Sequence, residues 1–162
     1  MTMATGDRLP EATFLEKGDA GIAPVPAREL LAGRRVALFG VPGAYTGVCS
    51  TQHLPSFIRV ADALRAKGVD DIVCVAVNDP HVMLAWGDAT GARAAGIRML
   101  SDAGAEFTRA LGLAYDNPAA GMFARSKRYA MLVEDGVVRV LNVEASPGQC
   151  EVSAGETLLA AI

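Results

Sequence analysis

The chain has 162 residues, of which 51% are hydrophobic and 20% charged, and its formal net charge is −3. This length corresponds to one domain of roughly 100–200 residues with a single core, and the composition excludes a disordered chain. The small negative charge gives no basic surface for nucleic acid, and no apolar run reaches the roughly 18 residues of a membrane span. We therefore expect one folded domain over residues 1–162, with neither a nucleic-acid nor a membrane partner.

The cysteines and the N-terminal sequence predict a compartment. The three cysteines lie at 49, 74 and 150, an odd set without CxxC or the paired spacing of a zinc site. The N-terminal sequence MTMATGDRLPEATF lacks the charged-then-apolar order of a secretory signal. These features predict a reduced, cytoplasmic chain without structural disulfides.

The first regular element in the sequence is a buried strand, RRVALFGV at 34–41, which follows a turn-rich lead-in. The segment PGAYTGV breaks this strand. From about Ser50 apolar residues recur every three or four positions, which predicts a helix that stops at Gly68. Pro55 should kink that helix unless the helix begins later.

A second strand and helix follow, and then a third strand with a short helix. The run DIVCVAVN at 71–78 is rich in β-branched residues and predicts a buried strand. The next helix is predicted to begin with Asp79 as N-cap and Pro80 at its first position. Further along, IRMLSD at 97–102 predicts a strand and AEFTRALGL at 105–113 a short helix.

The C-terminal third predicts a hairpin and a last helix. Two apolar runs within 128–144 flank Asp135-Gly136, a strong hairpin signal. Ser153 and Glu156 have the spacing of a capping box before an apolar run. A parallel βαβ part followed by a hairpin and a terminal helix is the element order of an α/β thioredoxin-like fold, with a central mixed β-sheet flanked by helices.

Cys49 lies where the first strand gives way to a helix, which is where reactive groups collect in βα units. The positive end of a helix dipole favours an anion there, and the thiolate is the nucleophilic form of cysteine. The Thr46 hydroxyl can donate to a thiolate or to an oxygen-bearing substrate, and Pro42 can shield one side of the thiol. The alternative is an inert core cysteine, since free cysteine is among the most buried residue types.

The stretch FGVPGAYTGVCSTQHLPSF, which contains the pattern PxxxTxxC, resembles the peroxidatic-cysteine segment of peroxiredoxins, in particular the type-5 or plant type II (redoxin) group. The resemblance continues through DIVCVAVNDPHVMLAWG and KRYAMLVEDGVVRVLNVE to the C-terminal helix. It implies a thiol-specific peroxidase that reduces hydrogen peroxide and alkyl hydroperoxides in antioxidant defence and redox homeostasis. It also implies a homodimer, and no metal, haem or flavin cofactor.

The resemblance assigns roles to individual residues. Cys49 corresponds to the peroxidatic cysteine, which attacks the O–O bond and becomes a sulfenic acid. Thr46 corresponds to the threonine that bonds the peroxide and thiolate, and Pro42 to the proline that shelters the pocket. Arg128 corresponds to a distant arginine that approaches the cysteine in the fold. His53 invites a Cys–His dyad, but the family does not use it as a base, so a structural or substrate-rim role is favoured.

The sequence leaves open which thiol attacks the sulfenic acid. Cys74 has the spacing of the second cysteine in plant type II members, but it lies within a strand, so a bond to Cys49 would require the first helical turn to unwind. Cys150 resembles the late resolving cysteine of animal members and lies in a loop, which moves more easily. Glutathione or a glutaredoxin could instead attack the sulfenic acid directly. The resemblance implies glutathione with glutaredoxin, or thioredoxin, as the source of electrons.

Three other functions compete with the peroxidase. A disulfide oxidoreductase of the thioredoxin type is disfavoured because the chain lacks CxxC. A peroxide sensor would use Cys49 equally well but would not turn over many equivalents of peroxide. A purely structural thioredoxin-like module would not need Pro42, Thr46 and Cys49 in register.

Overall fold

The computed structural model describes residues 2–162, and within them the chain forms nine strands and five α-helices. The strands are β1 (Thr13–Gly18), β2 (Gly21–Pro26), β3 (Arg35–Gly40), β4 (Asp71–Ala76), β5 (Ile97–Ser101), β6 (Ala114–Asn117), β7 (Met122–Ser126), β8 (Tyr129–Glu134) and β9 (Val137–Val143). The helices are α1 (Ala27–Leu31), α2 (Leu54–Ala66), α3 (Pro80–Thr90), α4 (Glu106–Ala110) and α5 (Gly155–Ala160). A π-helical turn (Cys49–His53) precedes α2, and a 3-10 turn (Pro118–Ala120) joins β6 to β7.

Seven strands form one mixed sheet in the order β2-β1-β5-β4-β3-β8-β9. The central strands β3, β4 and β5 run parallel, and the flanking pairs are antiparallel. This arrangement confirms the predicted mixed sheet flanked by helices. Strands β6 and β7 form a separate antiparallel pair.

The sheet carries a hydrophobic core on each face, because successive residues of a strand point to opposite sides. Leu38 packs in the core that includes α1 and α4, and its neighbour Phe39 packs in the core that includes α2, α3 and α5. Phe39 stacks on Phe57 of α2 with ring centroids 4.0 Å apart. Since β3 leads into the segment that contains Cys49, this packing fixes where that segment begins.

The structure confirms the helix cap at Asp79 and the hairpin turn at Asp135-Gly136, both of which depend on residues close together in the chain. Asp79 caps α3 by accepting the Val82 N–H at 3.0 Å, and Pro80 is the first helical residue. Asp135 and Gly136 join β8 to β9 with positive φ angles of 48° and 78°, the conformation that a two-residue hairpin turn requires.

The helix after Cys49 begins differently from the prediction. Its first turn, Cys49–His53, is π-helical, and the N–H of Leu54 donates to the carbonyl of Cys49, five residues earlier. Helix α2 starts at Leu54, so Pro55 stands in its first turn, where a proline needs no backbone partner. The proline therefore does not kink a helix interior.

The predicted capping box of the last helix is wrong. The Ser153 hydroxyl donates to the Glu144 carboxylate at 2.6 Å, and Glu156 pairs with Arg59 at 2.8 Å. The N-cap position of α5 is Ala154. The Glu144 carboxylate is buried and must find donors, so a tertiary bond displaces the local one.

The sequence did not indicate several short elements. The turn-rich lead-in contains β1, β2 and α1, and the segment before Arg128 contains β6 and β7. Most of β2 is exposed, so it lacks the apolar alternation that predicts a strand.

Within residues 2–162, α2 is 13 residues long, and no helix combines the length and apolarity that a membrane crossing requires.

Candidate active site

The sheet places Cys49 just beyond the carboxyl end of a central parallel strand. Strand β3 ends at Gly40, residues 41–48 form a turn, and Cys49 opens the π-helical turn. The Cys49 side chain has no exposed surface. Cys49 therefore lies at a strand-to-helix junction, the location that the sequence predicted for it.

The turn before Cys49 is held by two side chains from other elements. The Asn78 side-chain oxygen, beyond β4, accepts the Ala44 N–H at 2.9 Å. Arg125 of β7 donates from Nη1 to the carbonyl of Pro42 at 3.1 Å. A Cβ atom at Gly43 would lie 2.6 Å from that Nη1, so a larger residue there would displace the Arg125 guanidinium. Sequence reasoning missed both Asn78 and Arg125, because their contacts exist only in the folded chain.

Thr46 lies in the same turn and is half-buried, but its hydroxyl does not donate to Cys49. Its Oγ1 donates to the carbonyl of Gly43 at 2.7 Å, so the predicted bond to the thiolate is not made in this structure. A hydroxyl has a single proton, which the turn already uses, while its lone pairs remain able to accept. Pro42, which was predicted to shelter the thiol, is buried in the turn.

Arg128 lies directly before β8 and reaches Cys49 across the fold. Its side chain is almost wholly buried, at 2% exposure, and Nη2 lies 3.1 Å from the Cys49 sulfur. Nε and Nη2 also donate to the carbonyl of Pro147 at 3.2 and 3.0 Å, and Nη1 lies 3.1 Å from Nδ1 of His53. Four of the five guanidinium N–H groups thus have acceptors.

The buried guanidinium determines the electrostatics of the site. The guanidinium sets a fixed positive charge 3.1 Å from the Cys49 sulfur, where it faces any negative charge that forms there. The other acceptors, the Pro147 carbonyl and the His53 ring, carry no negative charge. Among the hydrogen-bond acceptors of Arg128, only Cys49 can therefore carry a negative charge.

His53 is a buried part of this site and does not lie at its rim. Its ring packs near Phe39 and Phe57, with centroids 5.1 and 5.7 Å away, and it has no exposed surface. Its Nε2 lies 2.9 Å from the carbonyl of Ser153. Burial, and then the charge of Arg128, lower the pKa of His53 to about 3. Both ring nitrogens are engaged away from Cys49, so His53 is not placed to act as its base.

The two other cysteines are free thiols in different settings. Cys74 is buried in the middle of β4, and burial and the nearby Cys49 raise its pKa well above the usual range. Cys150 is half-buried in the loop between β9 and α5, and its pKa is also raised, mainly by burial. Neither thiol is disposed to ionise, and the thiolate is the form that attacks.

Two aromatic side chains lie close to the Cys49 segment. The Trp86 indole of α3 is buried and donates to the hydroxyl of Ser50 at 3.1 Å. Burial and the nearby Cys49 raise the pKa of Tyr115 in β6. Trp86 is the chain's one tryptophan, so its fluorescence reports events next to Cys49.

A surface groove of about 750 Å³ lies elsewhere, between the β1–β2 hairpin and α3, and does not include Cys49. Four of its charged side chains pair with one another, Arg98 with Glu16 at 2.8 Å and Arg93 with Asp88 at 2.6 Å. Across residues 2–162, no group of three or more His, Cys, Asp or Glu side chains is arranged to hold a metal ion.

Comparison with known proteins gives a consistent result over nearly the whole chain. The Redoxin family model matches residues 4–159. Peroxiredoxin-2E-2 (chloroplastic) of Oryza sativa subsp. japonica is 47% identical, with 99% of this chain and 73% of that protein covered. Peroxiredoxin-2B of Arabidopsis thaliana is 42% identical, with 99% and 98% covered. The structure of reduced Prx3 from Vibrio vulnificus in complex with hydrogen peroxide matches with a TM-score of 0.93 and 50% identity, covering 99% of both chains.

The buried, neutral state of His53 predicts a pH-dependent stability. In the unfolded chain this histidine takes up a proton near its usual pKa of about 6.5, whereas in the folded protein it resists protonation down to about 3. The contribution of His53 to the free energy of unfolding is therefore fully present above about pH 6.5 and is lost as the pH falls towards 3. Between about pH 7.5 and about pH 5, the wild type should lose about 2 kcal/mol more unfolding free energy than His53→Asn.

Urea unfolding of both proteins across this pH range measures the effect. The variant has no titrating group at position 53. Its stability therefore varies with pH only through the other groups, and it serves as the control. Parallel stability curves for the two proteins would contradict the prediction.

Proposed function

Because the chain belongs to the Redoxin family and is a peroxiredoxin, a thiol peroxidase with a peroxidatic cysteine, we propose that Cys49 is that cysteine in this chain. The observation that carries the assignment is the Arg128 guanidinium, buried and 3.1 Å from the Cys49 sulfur. Cys74 and Cys150 are the alternative thiols, and the pKa of each is raised.

The proposed reaction is a displacement at oxygen. The Cys49 thiolate attacks the terminal oxygen of a hydroperoxide, forms an S–O bond and breaks the O–O bond. The leaving alkoxide or hydroxide takes up a proton and departs as an alcohol or water. The sulfur is oxidised to the sulfenic acid by two electrons, and the peroxide is reduced by the same two electrons.

The surrounding residues supply positioning and charge stabilisation. Arg128 stabilises the thiolate and then the negative charge on the departing oxygen, as a fixed guanidinium does best in a site that excludes water. Thr46 is assigned to the peroxide, because its hydroxyl lone pairs are free to accept while its proton is bound by Gly43. Pro42 begins the turn and brings no N–H that would compete for the sulfur.

We propose that an external thiol, glutathione or glutaredoxin, reduces the sulfenic acid. Its sulfur attacks the Cys49 sulfur and releases water, and a second thiol then resolves the mixed disulfide. The raised pKa values of Cys74 and Cys150 support this route, since both thiols are poor nucleophiles in the folded state. Cys49 is buried, so the π-helical turn must open before any thiol reaches it.

Cys150 is the internal alternative that a specific contact favours. Arg128 donates two bonds to Pro147, three residues before Cys150, which ties this loop to the Cys49 site. Thioredoxin would then reduce the resulting disulfide. Cys74 would have to leave the centre of the sheet, where it is paired between Phe39 and Met99.

We propose that the protein pairs as a homodimer through the surface beside the Cys49 turn. Tyr45 and Phe123 are large apolar side chains with 58% and 62% exposure. The bond from Arg125 to Pro42 holds β7, which carries Phe123, against the turn that carries Tyr45. Two exposed aromatic side chains on adjoining segments are typical of an interface.

We also propose the cytoplasm as the location. Three unpaired cysteines, two of them fully buried, suit a reducing compartment.

Replacing Cys49 by Ser should abolish peroxide consumption, because serine has no thiolate to attack the O–O bond. Peroxide loss in the presence of glutathione and glutaredoxin measures turnover, and Trp86 fluorescence after rapid mixing with peroxide measures the oxidation step. His81→Gln is the control, since His81 is exposed and contacts Lys17 away from the site.

Retention of most activity by the serine variant would disprove the assignment. A fluorescence change after one equivalent of peroxide without further turnover would instead indicate a sensor.

Mass spectrometry after one equivalent of peroxide should identify the resolving thiol. We expect the wild type, Cys74→Ser and Cys150→Ser all to show sulfenic acid, or a glutathione adduct when glutathione is present. An intramolecular disulfide that is lost only in Cys150→Ser, or only in Cys74→Ser, would name that cysteine as resolver and contradict the external route.

Sedimentation velocity should show a dimer that dissociates when Tyr45→Asn and Phe123→Ser are combined. Asparagine also tolerates the left-handed backbone of position 45, where φ is 63°. Ile22→Asn is the matched control, since Ile22 is 47% exposed on β2, an edge strand of the seven-stranded sheet that carries neither Tyr45 nor Phe123. A monomeric wild type, or equal dissociation of the control, would contradict this interface.

A further inference from the structure

His53 contacts the catalytic arginine but has no role in the reaction as described above. Its Nδ1 lies 3.1 Å from Nη1 of Arg128, and its Nε2 lies 2.9 Å from the Ser153 carbonyl. We propose that His53 is a positioning residue for peroxide reduction, which holds the Arg128 guanidinium against the Cys49 sulfur without neutralising its charge. This inference rests on the proposed function, in which Arg128 stabilises the Cys49 thiolate.

The partners of the ring fix its protonation state. A guanidinium has only donors, so Nδ1 must offer its lone pair to Arg128. A carbonyl only accepts, so Nε2 must carry the proton and donate it to Ser153. A doubly protonated ring would turn an N–H towards the N–H groups of Arg128 and set two cations together. The lowering of the His53 pKa to about 3 by burial and by Arg128 agrees with this assignment.

His53 supplies the rigid anchor of the guanidinium. The other neutral acceptor, the backbone carbonyl of Pro147, belongs to an exposed loop residue. His53 is fully buried, and its ring packs against Phe39 of the central sheet and Phe57 of α2. The bond at Nη1 therefore fixes the plane of the guanidinium relative to the core, and with it the direction of Nη2 towards Cys49.

A neutral acceptor suits this position better than a carboxylate. An aspartate or glutamate here would form an ion pair with Arg128 and reduce the positive charge that Cys49 experiences. The nearby acid, Glu144, accepts at Oε2 from the N–H of Glu151 and from the N–H and hydroxyl of Ser153, and makes no hydrogen bond to Arg128. The imidazole satisfies a buried N–H of Arg128 without bringing a negative charge into direct contact with it.

The bond to Ser153 offers a competing explanation that the test must separate. Through Nε2, His53 also holds the backbone before α5, so a loss of activity could come from a displaced α5 rather than from Arg128. Two substitutions separate these contacts. In His53→Asn the side-chain oxygen occupies the place of Nδ1 and keeps the contact with Arg128. In His53→Gln the amide nitrogen occupies the place of Nε2 and keeps the contact with the Ser153 carbonyl.

We expect kcat/KM for hydrogen peroxide to be about tenfold to a hundredfold lower in His53→Gln than in His53→Asn, the scale of a lost hydrogen bond to a charged group. The pH midpoint of Cys49 alkylation by iodoacetamide should be higher in His53→Gln than in His53→Asn, because the midpoint follows the thiolate fraction whereas the rate at one pH also depends on opening of the turn. Measurements in Cys74→Ser/Cys150→Ser protein restrict alkylation to Cys49. Urea unfolding of each variant shows that the comparison is between folded proteins.

The Arg128→Lys background shows whether His53 acts through the arginine. Lysine lacks the planar fork, so adding His53→Gln should there change kcat/KM by less than about threefold. Equal losses in the Asn and Gln variants, or a larger loss in the Asn variant, would overturn the inference and assign His53 to holding α5. A full effect of His53→Gln in the lysine background would also overturn it. If Arg128→Lys alone keeps wild-type activity and alkylation, the proposed role of Arg128 fails as well.

Discussion

The buried guanidinium of Arg128 is the constraint on which the active site depends. A charge removed from water must be matched by hydrogen-bond partners, or it costs several kcal/mol. The partners of this one come from the π-helical turn, through Cys49 and His53, and from the loop before α5, through Pro147. Arg128 is 79 residues from Cys49 in the chain, so one side chain joins three separate segments. The hydrogen bonds that compensate for burying the guanidinium also orient it towards the Cys49 sulfur.

The π-helical turn connects this constraint to the mobility that the reaction needs. It sets both Cys49 and His53 against the arginine while Leu54 donates to the Cys49 carbonyl across a wider ring than in an α-helix. Such turns occur often at functional sites. In the reduced protein the turn is closed and the sulfur is covered, which protects the thiolate. In the proposed reaction the resolving thiol attacks only after the turn opens, which ties the stability of this turn to the rate of recycling.

Local sequence predicted the regular elements near the site because the relevant physics is local. The buried strand before the turn, the cap at Asp79 and the hairpin at Asp135-Gly136 depend on side chains within a few residues of one another. The exposed strand β2 and the π-helical turn carried no comparable pattern. The capping box predicted at Ser153 is absent for the opposite reason. The local pattern is present, but the Ser153 hydroxyl donates to the buried carboxylate of Glu144 instead of capping the helix.

The sequence by itself determined the fold class, the position of Cys49 at a strand-to-helix junction and, through the PxxxTxxC resemblance, the peroxidase chemistry. Only the tertiary structure decided the hydrogen bonds around that cysteine. The Thr46 hydroxyl donates to the Gly43 carbonyl, Arg125 donates to the Pro42 carbonyl, and His53 contacts Arg128. The reason is physical. Periodicity and capping act between neighbours in the chain, whereas the demand of a buried charge for partners is met in space, by whichever residues the fold brings within hydrogen-bonding distance.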